Sequence, residues 1–150
     1  MVAVGSVAPD FTLKNQNGED ITLSDYRGKK VILFSFPKAH TAGCTAQVCS
    51  FRDAFPRMET ANAVVFGISG DSVEQQKSFH DKYNLQYDLL SDPGLEVLKT
   101  WDAGISVFGL SIPLAQRSYW VLDEEGQVIA MQVGIGPEAS MEAALQAVQG

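Results

Sequence analysis

The sequence has few cysteines and few histidines, with only two of each in 150 residues. Disulfide-rich secreted domains carry many more cysteines, and two cysteines cannot supply a four-sulfur zinc or iron–sulfur site. Positive charge is also scarce, because 11 Lys and Arg residues stand against 18 Asp and Glu residues and give a net charge of −7. Such a chain repels phosphate backbones, and no basic cluster is longer than Lys29-Lys30. We therefore expect no nucleic-acid partner.

Long hydrophobic runs are absent as well. No apolar stretch approaches the roughly 20 residues that a membrane helix needs, so we expect no membrane span. The first residues lack the basic and apolar regions of a secretory signal, and we expect a cytoplasmic protein, or one in an organellar stroma if a transit peptide has been removed. Hydrophobic residues make up 45% of the chain. This content and this length predict a single domain over residues 1–150.

Hydrophobic periodicity and turn residues predict an alternation of strands and helices. Residues 30–36 and 63–69 are almost continuously apolar, which is typical of parallel strands covered on both faces. The full set is a hairpin of 10–13 and 20–23, strand 30–36, helix 42–59, strand 63–69, helix 72–83, strand 88–91, a helix from Asp92-Pro93, a hairpin of 117–123 and 127–133, and helix 137–149. Pro56 predicts a break or kink near residues 54–56. The order predicts an α/β, thioredoxin-like fold with a mixed central sheet flanked by helices and an N-terminal β-hairpin extension.

Cys44 is the first candidate for chemistry. It lies in the first turn of the helix that follows strand 30–36, at the sheet edge where open α/β folds place their sites. Free backbone N–H groups and the helix dipole favour the thiolate, which is the nucleophilic form. Thr41 can bring its hydroxyl near the sulfur, and Pro37 fixes the chain where it leaves the strand. The alternative is a buried cysteine without chemistry, but this position favours a reactive thiol.

Cys49 lies five residues after Cys44 on the same predicted helix. Helix geometry separates their Cα atoms by roughly 8.5 Å. A disulfide needs Cα atoms within about 7 Å. Either the two thiols never pair or the helix unwinds locally to let them do so, and Cys49 as a plain core residue is the third alternative.

The pattern Pro37-x-x-x-Thr41-x-x-Cys44 resembles the active-site motif of peroxiredoxins. The wider run from Phe36 to Asp53 is similar to the bacterioferritin comigratory protein/peroxiredoxin Q subfamily, which places its resolving cysteine five residues after the first. Further blocks agree in the same order along the chain: Ala8–Leu13, Gly67–Ser72, Leu89–Asp92 and Arg117–Asp123.

This resemblance implies a thiol-dependent peroxidase without a metal or any other cofactor. It makes Cys44 the peroxidatic cysteine, Thr41 the group that orients the peroxide and Pro37 the residue that shields the site. Arg117 would stabilise the thiolate and the polarised peroxide, and Cys49 would resolve the sulfenic acid as an intramolecular disulfide. Hydrogen peroxide and alkyl hydroperoxides are the implied substrates, and thioredoxin or a similar dithiol is the implied reductant. The implied state is a monomer, with a dimer left open.

The sequence departs from the subfamily at two positions. Ala42 stands where proline is usual, and Gln47 stands where Glu is common, which puts any proton-handling role there in doubt. We assign His40 to the rim of the site and His80 to the surface. Residues 103–116 form a long apolar connection that either shelters the site, lines a pocket for alkyl peroxides, contacts a protein or runs beside the sheet as core.

Three other functions stay open at this point. A thiol–disulfide oxidoreductase on this fold normally uses C-x-x-C, which this chain lacks. A redox-silent binding module would keep its partner after replacement of Cys44. A zinc site formed by Cys44, Cys49 and His40 is a further alternative.

Overall fold

The computed structural model describes residues 2–150. Its strands are β1 Thr12–Lys14, β2 Asp20–Thr22, β3 Lys30–Ser35, β4 Ala63–Ser69, β5 Asp88–Ser91, β6 Ile105–Val107, β7 Leu110–Ile112, β8 Ser118–Leu122 and β9 Val128–Val133. Its α-helices are α1 Ala42–Thr60, α2 Val73–Tyr83, α3 Glu96–Thr100 and α4 Pro137–Gln149, and single 3-10 turns occupy Leu23–Tyr26 and Pro93–Leu95. None of the helices in residues 2–150 is long and apolar enough to span a membrane.

Seven strands form one mixed sheet in the order β2-β1-β5-β4-β3-β8-β9. The crossovers through α1 and α2 make β3, β4 and β5 parallel, while β8 and β9 run antiparallel beside β3. The β1–β2 hairpin extends the sheet beyond β5. The predicted α/β, thioredoxin-like fold with its N-terminal hairpin is confirmed. Because Ser35 pairs with Ser118, the end of β3 and the start of β8 meet at one edge of the sheet.

Both faces of the sheet carry hydrophobic core. Ile32 and Phe34 of β3 point to the face covered by α1 and α4, whereas Val31 and Leu33 point to the face covered by α3. All four side chains are buried. Phe34 also stacks on Phe51 of α1 with ring centroids 4.0 Å apart. The continuous apolar pattern of β3 thus follows from cover on both faces, and it fixes α1 against the sheet.

Of the break or kink predicted near residues 54–56, the break is wrong, because α1 continues through Pro56 to Thr60. Proline has no N–H to donate to the carbonyl of Arg52, one turn earlier. The side-chain Nε2 of Gln86 donates to that carbonyl oxygen at 3.1 Å instead. A donor from the α2–β5 turn therefore replaces the missing helical bond and lets the helix pass through the proline.

The third helix also differs from the prediction. The 3-10 turn over Pro93–Leu95 comes first, and α3 begins only at Glu96. The carboxylate of Asp92 caps α3 rather than this turn, since it accepts hydrogen bonds from the N–H groups of Val97 at 3.3 Å and Leu98 at 2.8 Å. Gly94 has a φ of +77°, which interrupts the helical path between the two segments.

The connection over residues 103–116 is not an irregular loop but carries the two-stranded ribbon β6–β7. Its paired residues are Ile105 with Ile112, Ser106 with Ser111 and Val107 with Leu110. Ala103 and Ala115 at its base are buried, whereas Phe108 at its tip is fully exposed. The interpretation as core holds only for the base of this segment.

Candidate active site

Cys44 is the third residue of α1, and its side chain is completely buried. The chain needs only residues 36–41 to turn from the end of β3 into this helix. The first turn of a helix has N–H groups without helical partners and carries the positive end of the helix dipole. The structure therefore surrounds the sulfur with groups that stabilise negative charge.

Arg117 immediately precedes β8 and reaches the same point from the neighbouring strand. Its Nη1 lies 3.6 Å from the sulfur of Cys44. Gly43 makes this approach possible, because a Cβ atom there would lie 2.9 Å from Nη2 of Arg117. A fixed guanidinium thus supplies both a permanent positive charge and hydrogen-bond donors beside the thiol.

Gln47 holds the guanidinium in place. Its Oε1 accepts a hydrogen bond of 2.7 Å from Nη1 of Arg117, the nitrogen that also faces the sulfur. Its Nε2 donates to Oγ of Ser140 at 3.1 Å and to the carbonyl of Ser35 at 3.4 Å. Gln47 is completely buried, so α1, α4 and β3 together fix the position of Arg117. The amide orients the cation without adding a negative charge.

Thr41 occupies the N-cap position of α1, and its side chain is exposed. The hydroxyl donates a hydrogen bond of 2.7 Å to the carbonyl of Lys38 and makes no N-cap bond. Its proton is therefore engaged within the turn, while its lone pairs remain available to accept a hydrogen bond. Pro37 is half-buried at the start of the same turn.

Asp71 holds the turn that precedes α1 through a hydrogen bond to its backbone. Its Oδ2 accepts hydrogen bonds from the N–H of Ala39 at 2.8 Å and from the hydroxyl of Ser69 at 2.6 Å. His40, the residue after Ala39, has a φ of +67°, and its Nε2 lies 3.2 Å from Oγ of Ser78. The buried carboxylate at the end of β4 thus fixes the turn in a conformation that is uncommon for a residue with a side chain.

Cys49 lies one and a half turns further along the unbroken α1, and its side chain is half-buried. Burial raises the pKa of its thiol, with Asp53 adding to the effect and Arg52 opposing it. Both cysteines are free thiols. In this helical form Cys49 is therefore a protonated thiol that cannot reach Cys44.

The AhpC/TSA family model matches residues 4–131 of this chain, which include both cysteines and Arg117. The chain belongs to the AhpC/TSA family. The members to which it is similar are named as peroxiredoxins of the Q and bacterioferritin comigratory protein type, as the sequence motifs indicate.

Two relatives and one solved structure illustrate this similarity to other family members. Peroxiredoxin Q, chloroplastic, of Triticum aestivum is 45% identical over 127 residues, which are 85% of this chain and 57% of that protein. The Sedum lineare protein of the same name is 41% identical over 149 residues, which are 99% of this chain and 78% of that protein. The crystal structure of Peroxidoxin BcpB from Mycobacterium tuberculosis superposes with a TM-score of 0.91 at 29% identity, over 99% of this chain and 97% of that chain. The chain spans little more than half the length of the first plant relatives.

The structure brings together most of the residues expected for such a family member. Cys44, Arg117 and the turn with Pro37 and Thr41 lie at one edge of the sheet, although the hydroxyl of Thr41 bonds to Lys38 rather than to the sulfur. No three His, Cys, Asp or Glu side chains within residues 2–150 group as a metal site, so the suggested zinc cluster does not assemble.

The roles of Gln47 and Asp71 were missed at the sequence level. Gln47 carries a weak signal, since it lies three residues after Cys44 and hence on the same helix face. Asp71 belongs to a block that resembles the family, but no local pattern links it to a turn 32 residues earlier.

Proposed function

We propose that this chain is a thiol-dependent peroxidase that reduces hydrogen peroxide and organic hydroperoxides. The Cys44 thiolate attacks the terminal oxygen of the peroxide, and the O–O bond breaks. The sulfur gains that oxygen as a sulfenic acid, and the other oxygen leaves as an alkoxide or hydroxide that takes up a proton. The peroxide is reduced by two electrons, and Cys44 is oxidised by two.

Arg117 stabilises the thiolate before the reaction and the leaving oxygen during it. Its position 3.6 Å from the sulfur is held by Gln47 and does not need to change. Thr41 accepts a hydrogen bond from the peroxide O–H, since its own proton already binds Lys38. Pro37 shields the site from bulk water at the start of the turn.

Cys49 resolves the sulfenic acid after local unwinding of α1. Its sulfur attacks the Cys44 sulfur, an S–S bond forms and the S–O bond breaks, and the hydroxyl leaves with the thiol proton as water. A dithiol of the thioredoxin type then takes over the disulfide and returns both cysteines to thiols. The helical thiol has a raised pKa because of burial, so unwinding also exposes Cys49 and makes it easier to ionise.

The proposal also covers the domain organisation, the oligomeric state and the compartment of the protein. Residues 1–150 act as one domain, since a single sheet joins the first hairpin to β9. An intramolecular disulfide lets one chain complete the cycle, which favours a monomer. Because each turnover needs a reducing partner, we place the protein in a reducing compartment, the cytoplasm or an organellar stroma.

The observation that carries this function is the contact between the Arg117 guanidinium and the buried sulfur of Cys44 in the first turn of α1. A structural cysteine needs neither a cation nor a helix N-terminus beside it.

The test is an intact-mass measurement after a few seconds with one equivalent of hydrogen peroxide, followed by a thiol alkylator. The wild-type protein should lose both alkylation sites and regain them with dithiothreitol. Cys44→Ser should keep its remaining thiol, and Cys49→Ser should accumulate sulfenic or sulfinic acid on Cys44. Two alkylatable thiols in the treated wild-type protein would contradict the proposal.

A further inference from the structure

Tyr87 makes a hydrogen bond to the helix segment that carries both cysteines. It lies just before β5, and its hydroxyl donates at 2.7 Å to the carbonyl of Val48. This carbonyl belongs to the peptide that links Val48 to Cys49. The Tyr87 ring is buried against Phe34 and Phe55, so its position is set by the core.

The hydroxyl is an additional donor to this carbonyl. Within α1 the carbonyl of residue 48 already has a helical donor in the N–H four residues later, and its second lone pair is free. Burial raises the pKa of Tyr87 well above its usual value, so the hydroxyl keeps its proton at neutral pH. The bond is therefore not needed to satisfy a buried carbonyl, but it fixes the orientation of the 48–49 peptide.

Two further hydrogen bonds connect α1 to the end of α2 and the α2–β5 turn, and both involve Arg52. Nη1 of Arg52 donates to the carbonyl of Tyr83 at 3.2 Å, and Gln86 donates to the carbonyl of Arg52 at 3.1 Å. Together they hold the helix at residue 52, one turn before Pro56. Unwinding is then expected in the part of α1 that precedes residue 52, and Tyr87 binds near the end of that part.

We propose that Tyr87 is a positioning residue for the resolving step and that its hydroxyl slows disulfide formation by holding the 48–49 peptide in its helical orientation. This inference rests on the proposed function, because it needs the Cys44–Cys49 disulfide. For Cys49 to approach Cys44, the 48–49 peptide must rotate out of the helix, and the bond to Tyr87 must break. The hydroxyl thereby prolongs the life of the Cys44 sulfenic acid and its exposure to a second peroxide.

The experiment compares the wild-type protein with Tyr87→Phe, which keeps the ring and removes only the hydroxyl. Tyr83→Phe is the matched control, because this half-buried tyrosine on the same segment meets α1 through its backbone carbonyl, which the substitution retains. Rapid quenching with an alkylator after one equivalent of peroxide separates sulfenic acid, disulfide and sulfinic acid by mass. The rate of Cys44 oxidation, measured in the same samples, is the internal reference, and urea unfolding of the reduced proteins reports any general loss of stability.

We expect Tyr87→Phe to speed disulfide formation about three- to tenfold, the effect of one buried neutral hydrogen bond. In a parallel series with an increasing excess of peroxide, the concentration that converts half of Cys44 to sulfinic acid should rise by the same factor, while Tyr83→Phe behaves as wild type. An unchanged or slower conversion of sulfenic acid to disulfide in Tyr87→Phe would overturn the inference. So would an equal acceleration in Tyr83→Phe.

Two further results have separate meanings: a wild-type protein that forms no disulfide, and a Tyr87→Phe variant that does not fold. If the wild-type protein forms no disulfide, the proposed function fails and takes the inference with it. If Tyr87→Phe does not fold, hydrogen exchange decides on the reduced wild-type protein: amides 45–49 should exchange faster than amides 52–55, and equal protection across α1 would overturn the inference.

Discussion

Gln47→Glu tests whether the positive charge of Arg117 acts on both the Cys44 sulfur and residue 47. In the wild-type protein one nitrogen of Arg117 faces both the Cys44 sulfur at 3.6 Å and the Gln47 amide oxygen at 2.7 Å. The amide accepts a hydrogen bond without bringing a negative charge. A carboxylate in its place would form an ion pair with the guanidinium and would repel the thiolate on the other side.

The two distances allow an order-of-magnitude estimate of this repulsion. With one nitrogen between them, the new carboxylate and the sulfur would lie roughly 5–6 Å apart, where two unit charges at an effective dielectric constant of about 20 repel by about 3 kcal/mol. Relaxation of the pair reduces this energy, and we expect Cys44 in Gln47→Glu to be alkylated about tenfold or more slower than in the parent protein at pH 7. The sign follows because a neighbouring negative charge disfavours ionisation of a thiol.

The assay measures the rate of Cys44 alkylation at pH 7 in a Cys49→Ser background, in which only one thiol reacts. Gln47→Met serves as the neutral control, since it removes the hydrogen bond to Arg117 and adds no charge. Its alkylation rate should fall less than that of Gln47→Glu. A Gln47→Glu alkylation rate equal to or above that of the parent protein would refute the idea that the charge of Arg117 acts on both the sulfur and residue 47.

Three other predictions concern single residues. Gly43→Ala should leave thermal stability unchanged or raise it, because alanine favours a helix by up to about 1 kcal/mol over glycine, yet slow the peroxide reaction about tenfold. A Cβ atom at residue 43 would lie 2.9 Å from Nη2 of Arg117 and would push the guanidinium away from the sulfur. Stopped-flow kinetics would measure the reaction rate, and a melting curve would measure the stability. Because burial raises the pKa of Cys49 in the helix, the helical form is favoured fully below the ordinary thiol pKa of about 8.5 and less as the pH rises through it. Disulfide formation should therefore accelerate from pH 8 to 10 in rapid-quench experiments, and a flat profile would argue against Cys49 as the attacking thiol. Asp92→Ala should lower the free energy of unfolding in urea by about 1–2 kcal/mol through loss of the bonds to Val97 and Leu98, and Asp92→Asn should lose less.

The parts of the fold that could be predicted are those with strong local signals. The continuous apolar runs of β3 and β4 predict buried parallel strands, and the Ser72 cap predicts the start of α2, where a capping box is observed. The ribbon β6–β7 could not be predicted in the same way. Its exposed Val107 and Leu110 interrupt the usual relation between hydrophobicity and burial, and its turn over Phe108 and Gly109 requires positive φ at a phenylalanine.

In the active site, the sequence predicts the residues that lie near Cys44 along the chain or that belong to a motif. Thr41 and Pro37 are of this kind. The hydrogen bonds of Gln47 are not, although Arg117 itself belongs to a motif, because Ser140 and Arg117 come from elements about 70 to 90 residues away and meet Gln47 only in the tertiary fold. The same holds for Asp71 and Ala39, which are joined only by the tertiary fold.

Pro56 illustrates how a correct local rule led to a wrong local prediction. Loss of the N–H at residue 56 leaves the carbonyl of Arg52 without its helical donor, and this loss alone favours a break. Gln86 supplies the donor, so the helix remains intact at the proline. The labile part of α1 is then expected elsewhere, between the first turn and residue 52.

The two proposed steps place opposite demands on that part, because peroxide attack needs the helix N-terminus formed around Cys44 and disulfide formation needs it unwound. Contacts from outside α1, at Asp71 before it and at Tyr87 and Gln86 beside it, therefore set the balance between the two forms more than the helix sequence does.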